Sequence, residues 1–283
     1  MSLLGAAEIR ALAASLDLRP AKSLGQNFVI DANVCRKIVR LAGVGTEDIA
    51  LEIGPGLGSL TLALLEEAAA VVAVEIDSRL ATQLPITVKA HSDQLEKLTV
   101  VNRDALQVND LGVAPTVLVA NLPYNISVPV LLHYLEKFPS LKSGIVMVQA
   151  EVADRLVANP STKEYGIPSV KATWWSTTSN AGSVSRSVFW PVPNVDSKLV
   201  GFIRHDPLGD EGLRKRVFTI VDAAFAQRRK MLRAALGGLF GGSSGAESVL
   251  LLAGIDPTLR GEALVIEQFL AIANASDEMG LGF

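Results

Sequence analysis

Short β-branched runs alternate with helical patterns along the first half of the chain, and that alternation leaves few possible folds. The predicted strands are 48–53, 71–75, 98–101, 116–120 and 144–149. Residues 59–68 form a helical pattern, and Ser127 is the expected N-cap of a later helix with Pro129 in its first turn. Strands that are apolar nearly throughout and separated by helices are typical of a parallel sheet covered on both faces. The sequence therefore predicts a doubly wound α/β domain.

The pattern changes in the second half of the chain. Residues 172–176 and 197–204 read as two further strands, expected as an antiparallel pair at the sheet edge. From about Leu208 only helical patterns follow, interrupted by the glycine-rich stretch 237–245. We therefore predict an α/β domain with an N-terminal helical extension over residues 1–207 and a small all-helical domain over 208–283.

Composition narrows the class of protein. A single cysteine, Cys35, excludes an internal disulfide framework and an all-cysteine zinc cluster, and the three histidines show no metal-ligand spacing. Residues 1–17 lack the pattern of a secretion signal, and no apolar run is long enough for a membrane span. We expect a soluble, cytoplasmic, monomeric protein without a metal. The net charge of −3 does not exclude nucleic acid, because phosphate contacts need only one basic face.

A glycine turn after the first strand predicts a nucleotide site. Gly54, Gly56 and Gly58 allow a sharp turn and a close approach of the backbone to a ligand. Glu75 lies 19 residues past Gly56, at the tip of the second strand, where a carboxylate accepts hydrogen bonds from both ribose hydroxyls. This pair suits NAD as well as S-adenosylmethionine.

Asp104 follows the third strand and adds a second acidic position. A carboxylate there can accept a hydrogen bond from an exocyclic adenine amine. As a turn or N-cap residue it would have no ligand role. Because Gly54, Glu75 and Asp104 end three successive strands, we expect them to line one crevice at the carboxyl edge of the sheet.

The loop Asn121-Leu122-Pro123-Tyr124 directly after the fourth strand predicts the substrate site. The Asn121 oxygen and a loop carbonyl can accept both hydrogens of an adenine N6 amine, which aims the nitrogen lone pair at a methyl donor. Pro123 restricts the backbone, and Tyr124 can stack on an extruded purine. Alignment supplies much of the catalysis, so no metal is required. A structural turn with a core tyrosine is the alternative.

At this point the chain resembles a known family over nearly its whole length. The matching segments are 22–28 (KSLGQNF), 52–58 (EIGPGLG), 121–126 (NLPYNI), 189–197 (FWPVPNVDS) and 224–233 (AFAQRRKMLR). A further signature matches at Lys163, Tyr165, Gly166, Ser169 and Val170. They resemble the ribosomal RNA adenine dimethyltransferases, in particular the bacterial small-subunit enzymes whose loss confers kasugamycin resistance. The resemblance departs at Ser161, which stands where the family usually has glycine, and at Val29, where the family more often has leucine.

The resemblance implies a Rossmann-like class I methyltransferase that uses S-adenosylmethionine and releases S-adenosylhomocysteine. Its substrate would be 16S ribosomal RNA in the small subunit, dimethylated at N6 of two adjacent adenosines near the 3′ end. Asn27 and the backbone at Val29 would contact the cofactor, with Gly54, Gly56, Glu75, Asp104 and Asn121.

The resemblance also implies roles for Phe189 and for the basic residues of the segment 224–233. Phe189 would face the target adenine across from Tyr124, with core packing as the alternative. The RNA-phosphate contacts would be made by Arg228, Arg229, Lys230 and Arg233, although some of these could hold the two domains together.

Three rival functions remain at this stage. The nearest is the 23S ribosomal RNA adenine dimethyltransferase of the macrolide-resistance type, which shares fold and chemistry. More distant alternatives are an RNA-binding assembly or transcription factor that keeps the fold with little catalysis, and an NAD-linked dehydrogenase. The Leu-Gly-Gln-Asn-Phe opening, the Asn-Leu-Pro-Tyr loop and the Gln-Arg-Arg-Lys run favour the small-subunit enzyme over the 23S enzyme. The intact Asn121 and Tyr124 argue against a factor with little catalysis.

Overall fold

A computed structural model gives the fold and describes residues 2–18, 27–123 and 126–281. Its helices are α1 (Ala6–Ser15), α2 (Ala32–Ala42), α3 (Ser59–Glu67), α4 (Ser78–His91), α5 (Ser127–Lys137), α6 (Ala150–Leu156), α7 (Ile167–Ala172), α8 (Glu211–Ala226), α9 (Leu232–Ala235), α10 (Ser243–Leu252) and α11 (Ile266–Glu278). Its strands are β1 (Phe28–Val29), β2 (Ile49–Ile53), β3 (Ala70–Glu75), β4 (Leu98–Asn102), β5 (Val117–Asn121), β6 (Ser143–Gln149), β7 (Ser176–Val184), β8 (Phe189–Trp190) and β9 (Ser197–Arg204).

Seven strands form one sheet in the order β4-β3-β2-β5-β6-β9-β7. The pairs from β4 across to β6 are parallel, and β9 joins β6 antiparallel. Residues of β2, β3 and β5 are almost all buried, as expected for strands covered on both faces. The predicted α/β fold with a Rossmann-like sheet is confirmed.

The strand order creates a switch point between β2 and β5. The chain runs outward from β2 to β3 and β4, then returns to β5 on the other side of β2. Open α/β sheets bind ligands outside the carboxyl ends of the strands at such a point. Gly54 follows β2 and Asn121 ends β5, so the two predicted loops meet there.

Aspartate side chains cap the N-termini of two helices that cover this sheet. Asp31 caps α2 by accepting from the N–H groups of Asn33 (2.9 Å) and Val34 (3.2 Å). Asp77 caps α4 through the Arg79 N–H at 2.9 Å. Each carboxylate satisfies donors that the first helical turn leaves without an intrahelical acceptor.

Two local predictions are wrong. Residues 172–176 are not a strand, because α7 ends at Ala172, turns follow, and β7 begins at Ser176. The β-prone Trp174 and Trp175 are buried edge-on against Phe218, so tertiary packing overrides propensity.

Ser127 is not an N-cap. It is the first residue of α5, whose N-cap is Ile126, and the Val130 N–H donates to the Ile126 carbonyl at 2.9 Å. Pro129 lies in the first turn of α5, as predicted, where a missing N–H costs nothing.

The chain forms two compact units. The first comprises Met1–Ala153 and Thr178–Arg204, and the second comprises Asp154–Thr177 and His205–Phe283. The sequence-based division at residue 207 places Asp154–Thr177 in the first domain, whereas these residues pack in the second unit. From Glu211 onward the described part of the second unit is helical, as the sequence pattern indicates.

Candidate active site

A cleft of about 300 Å³ opens at the switch point of the first unit. That volume is at the small end of the range for ligand pockets. Eight residues predicted to bind cofactor or substrate line it together: Asn27, Val29, Gly54, Gly56, Glu75, Asp104, Asn121 and Pro123. They come from the ends of four strands and from the N-terminal segment. The fold therefore brings together residues that are far apart in the sequence.

The glycine turn shapes the floor of the cleft. Gly54 and Gly56 have φ of +71° and +58°, a left-handed conformation that favours glycine. A Cβ on Gly56 would come within 3.0 Å of two ring carbons of Phe28. The turn therefore excludes side chains from the space that a nucleoside would occupy.

Glu75 is a buried carboxylate held by the backbone. Its Oε2 accepts from the Gly56 N–H at 3.2 Å, and its Oε1 accepts from the Asp77 N–H at 2.9 Å. Burial raises the pKa of Glu75, while these backbone bonds oppose that rise. Because a carboxylate has about four lone-pair sites, it can still accept from two ligand hydroxyls.

Asp104 caps a turn at the edge of the cleft, and its role as a ligand acceptor stays a prediction. Its Oδ1 caps the short 3₁₀ turn Ala105–Gln107 by accepting from the Leu106 N–H at 3.0 Å. It also lines the cleft. Ile76 and Leu106 line the cleft beside it and are 59% and 37% exposed, which provides apolar faces for a planar base. The sequence analysis did not predict either residue, although Ile76 directly follows Glu75 and Leu106 lies two residues after Asp104.

Asn121 is oriented by the N-terminal segment. Its Nδ2 donates to the Asn27 carbonyl at 3.0 Å, which turns Oδ1 toward any other donor that enters the cleft. The Leu122 N–H donates to the Met147 carbonyl at 3.0 Å, so Leu122 is buried in the wall rather than lining the cleft. Tyr124 lies outside the described residues, and its stacking role stays a prediction.

Phe189 does not line the cleft. Its ring is 1% exposed and belongs to the hydrophobic core, and its backbone pairs with Val29 in a two-stranded antiparallel ladder. Successive side chains of a strand point to opposite faces, so Trp190 points the other way and stacks on Phe28 with ring centroids 6.4 Å apart. The burial favours core packing, the alternative considered for Phe189.

Glu52 is a cleft residue that sequence reasoning missed. It lines the cleft, is 1% exposed, and accepts from the Thr61 hydroxyl at 2.6 Å. Burial raises the pKa of Glu52 to about 8, and the nearby Glu75 adds to that rise. A carboxyl in the otherwise apolar run Ile-Ala-Leu-Glu-Ile was the available signal.

The basic residues of the second unit fall into different environments. Arg228 bonds to Glu262 through Nε at 2.8 Å and to the Lys163 carbonyl through Nη2 at 2.7 Å. The Nη1 atom of Arg233 lies 3.7 Å from the Oε2 atom of Glu247. Arg229 and Lys230 are exposed, and no ion pair to either is found in the described part of the chain. Of the four, Arg229 and Lys230 are therefore the ones whose exposure suits contact with a phosphate.

The described residues form neither a membrane-spanning helix nor a cluster of metal ligands. Their helices are all too short or too polar to cross a bilayer. In the same ranges, no three histidine, cysteine or carboxylate side chains come together as metal ligands would.

Comparison with known proteins places the chain. The family model for ribosomal RNA adenine dimethylase matches residues 18–278. Ribosomal RNA small subunit methyltransferase A of Streptomyces griseus is 57% identical over 281 residues, covering 98% of this chain and 97% of that protein. The protein of the same name from Leifsonia xyli is 58% identical over 276 residues, covering 96% and 98%.

Solved structures agree on the fold. A dimethyladenosine transferase from Plasmodium falciparum superposes with a TM-score of 0.75 at 24% identity, covering 90% of this chain and 99% of that one. The 23S rRNA methyltransferase ErmE gives a TM-score of 0.64 at 27% identity, covering 89% and 100%.

Proposed function

This chain belongs to the ribosomal RNA adenine dimethylase family, and from that premise we propose that it dimethylates two adjacent adenosines near the 3′ end of 16S ribosomal RNA. It is an S-adenosylmethionine-dependent methyltransferase. The methylated position would be N6, and the substrate would be the small ribosomal subunit or a precursor of it. We further propose that the enzyme acts as a monomer in the cytoplasm.

The residues of the cleft fit the cofactor. The left-handed glycine turn leaves open the space that a Cβ would fill, and Glu75 presents a fixed carboxylate to ribose hydroxyls. Asp104, Ile76 and Leu106 provide an acceptor and two apolar faces for an adenine ring. When bound, the cofactor supplies a methyl group activated by a sulfonium.

The hydrogen bond between Asn121 and Asn27 carries the proposal. Because Nδ2 is fixed on the Asn27 carbonyl, Oδ1 is the atom that can accept from an entering amine. A backbone carbonyl of the Leu122–Pro123 segment would accept the second N6 hydrogen. The nitrogen lone pair then points away from both acceptors. Holding reactants in line in this way can lower a barrier by roughly 7–11 kcal/mol.

The same geometry supports two rounds of transfer. After each transfer the methylated nitrogen is acidic enough to lose one proton to water. A monomethylated amine therefore has one hydrogen left, and it can bond to one of the two acceptors. The acceptor that loses its partner is neutral, and leaving it unpaired costs about 1–3 kcal/mol rather than the larger penalty of an isolated charge. The enzyme is therefore expected to continue to the dimethylated product.

The test is methyl transfer to purified subunits. Small and large subunits that lack the modification would be incubated with methyl-labelled cofactor, and the RNA digested for mass analysis. We expect dimethyladenosine in small-subunit RNA only, and none with Asn121→Ala. Labelling of large subunits would support the 23S alternative, and accumulation of monomethyladenosine alone would contradict two rounds. Sedimentation of the free enzyme tests the monomer.

A further inference from the structure

Glu52 is a carboxyl group enclosed in the wall of the cleft. It lies on β2, one of the two strands at the switch point, two residues before Gly54. Only 1% of its surface is exposed, and its one described side-chain partner is the Thr61 hydroxyl on α3, at 2.6 Å. A hydroxyl donor offsets only part of the cost of burying a charge.

No cation balances this carboxyl among the described residues. The groups that face it are the Thr61 hydroxyl from α3, the Glu75 carboxylate from β3 and the Cys35 thiol from α2. The neighbouring β5 contributes Leu118, Val119 and Ala120, which are buried and uncharged. Burial and Glu75 together raise the pKa of Glu52 to about 8, so the free enzyme holds this group mostly protonated at pH 7.

The ligand proposed for the cleft brings the missing charge. S-adenosylmethionine has a positive sulfonium and a positive amino group, balanced by one carboxylate. After the methyl group has left, the sulfur keeps the bonding electron pair and is neutral. The cofactor and its product therefore differ by one unit of positive charge at the same place in the cleft.

We propose that Glu52 is the counter-ion of the cofactor's positive charge, and that it releases its proton to solvent when the cofactor binds. The proposal rests on the function proposed above. A positive charge in a dry cleft favours the carboxylate over the acid. The product, with one positive charge fewer, stabilises the carboxylate less and so binds with a smaller release of protons. Glu52 thereby helps the enzyme to prefer fresh cofactor over spent product.

The experiment is calorimetric titration of the full chain in two buffers with different heats of ionisation, between pH 6 and pH 9. The ligands are S-adenosylmethionine, S-adenosylhomocysteine and sinefungin, a stable analogue with an amine in place of the methylated sulfonium. With the first and third ligands we expect release of roughly 0.9 proton at pH 7 and about 0.1 at pH 9, since the free group titrates near pH 8. The product should release clearly less.

Two variants separate Glu52 from other sources of protons. Glu52→Gln keeps an acceptor for Thr61, and it should bind the charged ligands without Glu52-linked release and with a weaker preference for cofactor over product. Any protons that it still releases come from the ligand or from other groups of the cleft, such as Glu75, and are subtracted. Thr61→Val removes a bond that lowers the pKa of Glu52, so the release should extend to higher pH.

The outcomes distinguish this proposal from the proposed function. If the wild-type chain binds the cofactor with the same proton release as Glu52→Gln, the counter-ion role is wrong and the methyltransferase assignment is untouched. Equal release with cofactor and product would also overturn it. If the chain binds neither ligand at any pH, the proposed function itself fails.

Discussion

The Asn121 side chain donates its amide hydrogen to the backbone carbonyl of Asn27, 3.0 Å away and 94 residues earlier in the chain. One atom of the amide is thereby fixed, and the other is presented to the cleft. The N-terminal segment, which was predicted to contact the cofactor, thus also orients the catalytic side chain at the end of β5.

This contact predicts that Asn121→Asp is nearly inactive. The aspartate keeps an acceptor for the substrate amine, but its second oxygen faces the Asn27 carbonyl and repels it. Misplacement by about 1 Å can reduce a rate roughly 100-fold, and we expect at least that loss in methyl transfer. Cofactor affinity, measured by calorimetry, should fall much less. A variant with near wild-type turnover would show that the amide orientation is irrelevant.

The glycine turn gives a second prediction, with a matched control. Gly56→Ala places a Cβ 3.0 Å from the Phe28 ring at a φ of +58°, so we expect cofactor affinity to fall at least tenfold. Gly112→Ala has a similar backbone strain, at φ +69°, with no atom within 4 Å of the new Cβ. Both variants should lose about 1–2 kcal/mol of stability, but only Gly56→Ala should lose binding. Equal binding losses would contradict a role for the turn in the site.

Sequence reasoning worked best where one physical cause dominated. The parallel strands were predictable because strands buried on both faces must be apolar, and their order along the chain placed Gly54, Glu75 and Asp104 at one edge. The strand prediction for residues 172–176 was wrong because Trp174 and Trp175 pack on Phe218, which belongs to a helix far along the chain.

Contacts across long sequence separations were also out of reach. No periodicity indicates that the Asn27 carbonyl orients Asn121, or that Phe189 is enclosed in the core while Trp190 stacks on Phe28. The protonation of Glu52 follows from three-dimensional burial, which a one-dimensional pattern does not measure.

Glu52 also makes the stability of the free enzyme depend on pH. Its pKa is raised by burial from an ordinary 4.5 to about 8, so the folded state binds the proton more tightly than the unfolded state. Its contribution is therefore fully present below pH 4.5 and is lost as pH rises through about 8. Replacement by glutamine removes this loss. The stability of Glu52→Gln relative to wild type should rise with pH in that window by up to about 1.4 kcal/mol per unit.

Denaturant unfolding at pH 5, 7 and 9 measures this difference. Glu47→Gln is the control, because Glu47 is exposed and its charge stays solvated when the chain folds. Its difference from wild type should not change with pH. A flat profile for Glu52→Gln would mean that water reaches the Glu52 carboxyl.

Ser161 provides a test of local strain. It stands where the resembled family usually has glycine, and its φ is +66°. The left-handed conformation costs a non-glycine residue about 1–2 kcal/mol, of which the entropy of an unfolded glycine offsets part. We expect Ser161→Gly to stabilise the protein by about 0.5–1 kcal/mol, and Ser161→Ala to give no gain. Thermal unfolding of the three proteins decides the matter, and a destabilised Ser161→Gly would refute the strain.

Arg228 and Arg229, in the turn that follows α8, should separate stability from RNA binding. Arg228 bonds to Glu262 and to the carbonyls of Thr162 and Lys163, so Arg228→Ala should lower unfolding free energy by about 1 kcal/mol, given its partial exposure. Arg229→Ala should leave stability unchanged. If Arg229 contacts a phosphate, its loss should reduce the salt slope of RNA binding by about one unit. Binding measured from low to high salt, beside thermal unfolding, checks both. The reverse pattern, with Arg228→Ala stable but weak in RNA binding, would restore Arg228 as the phosphate ligand.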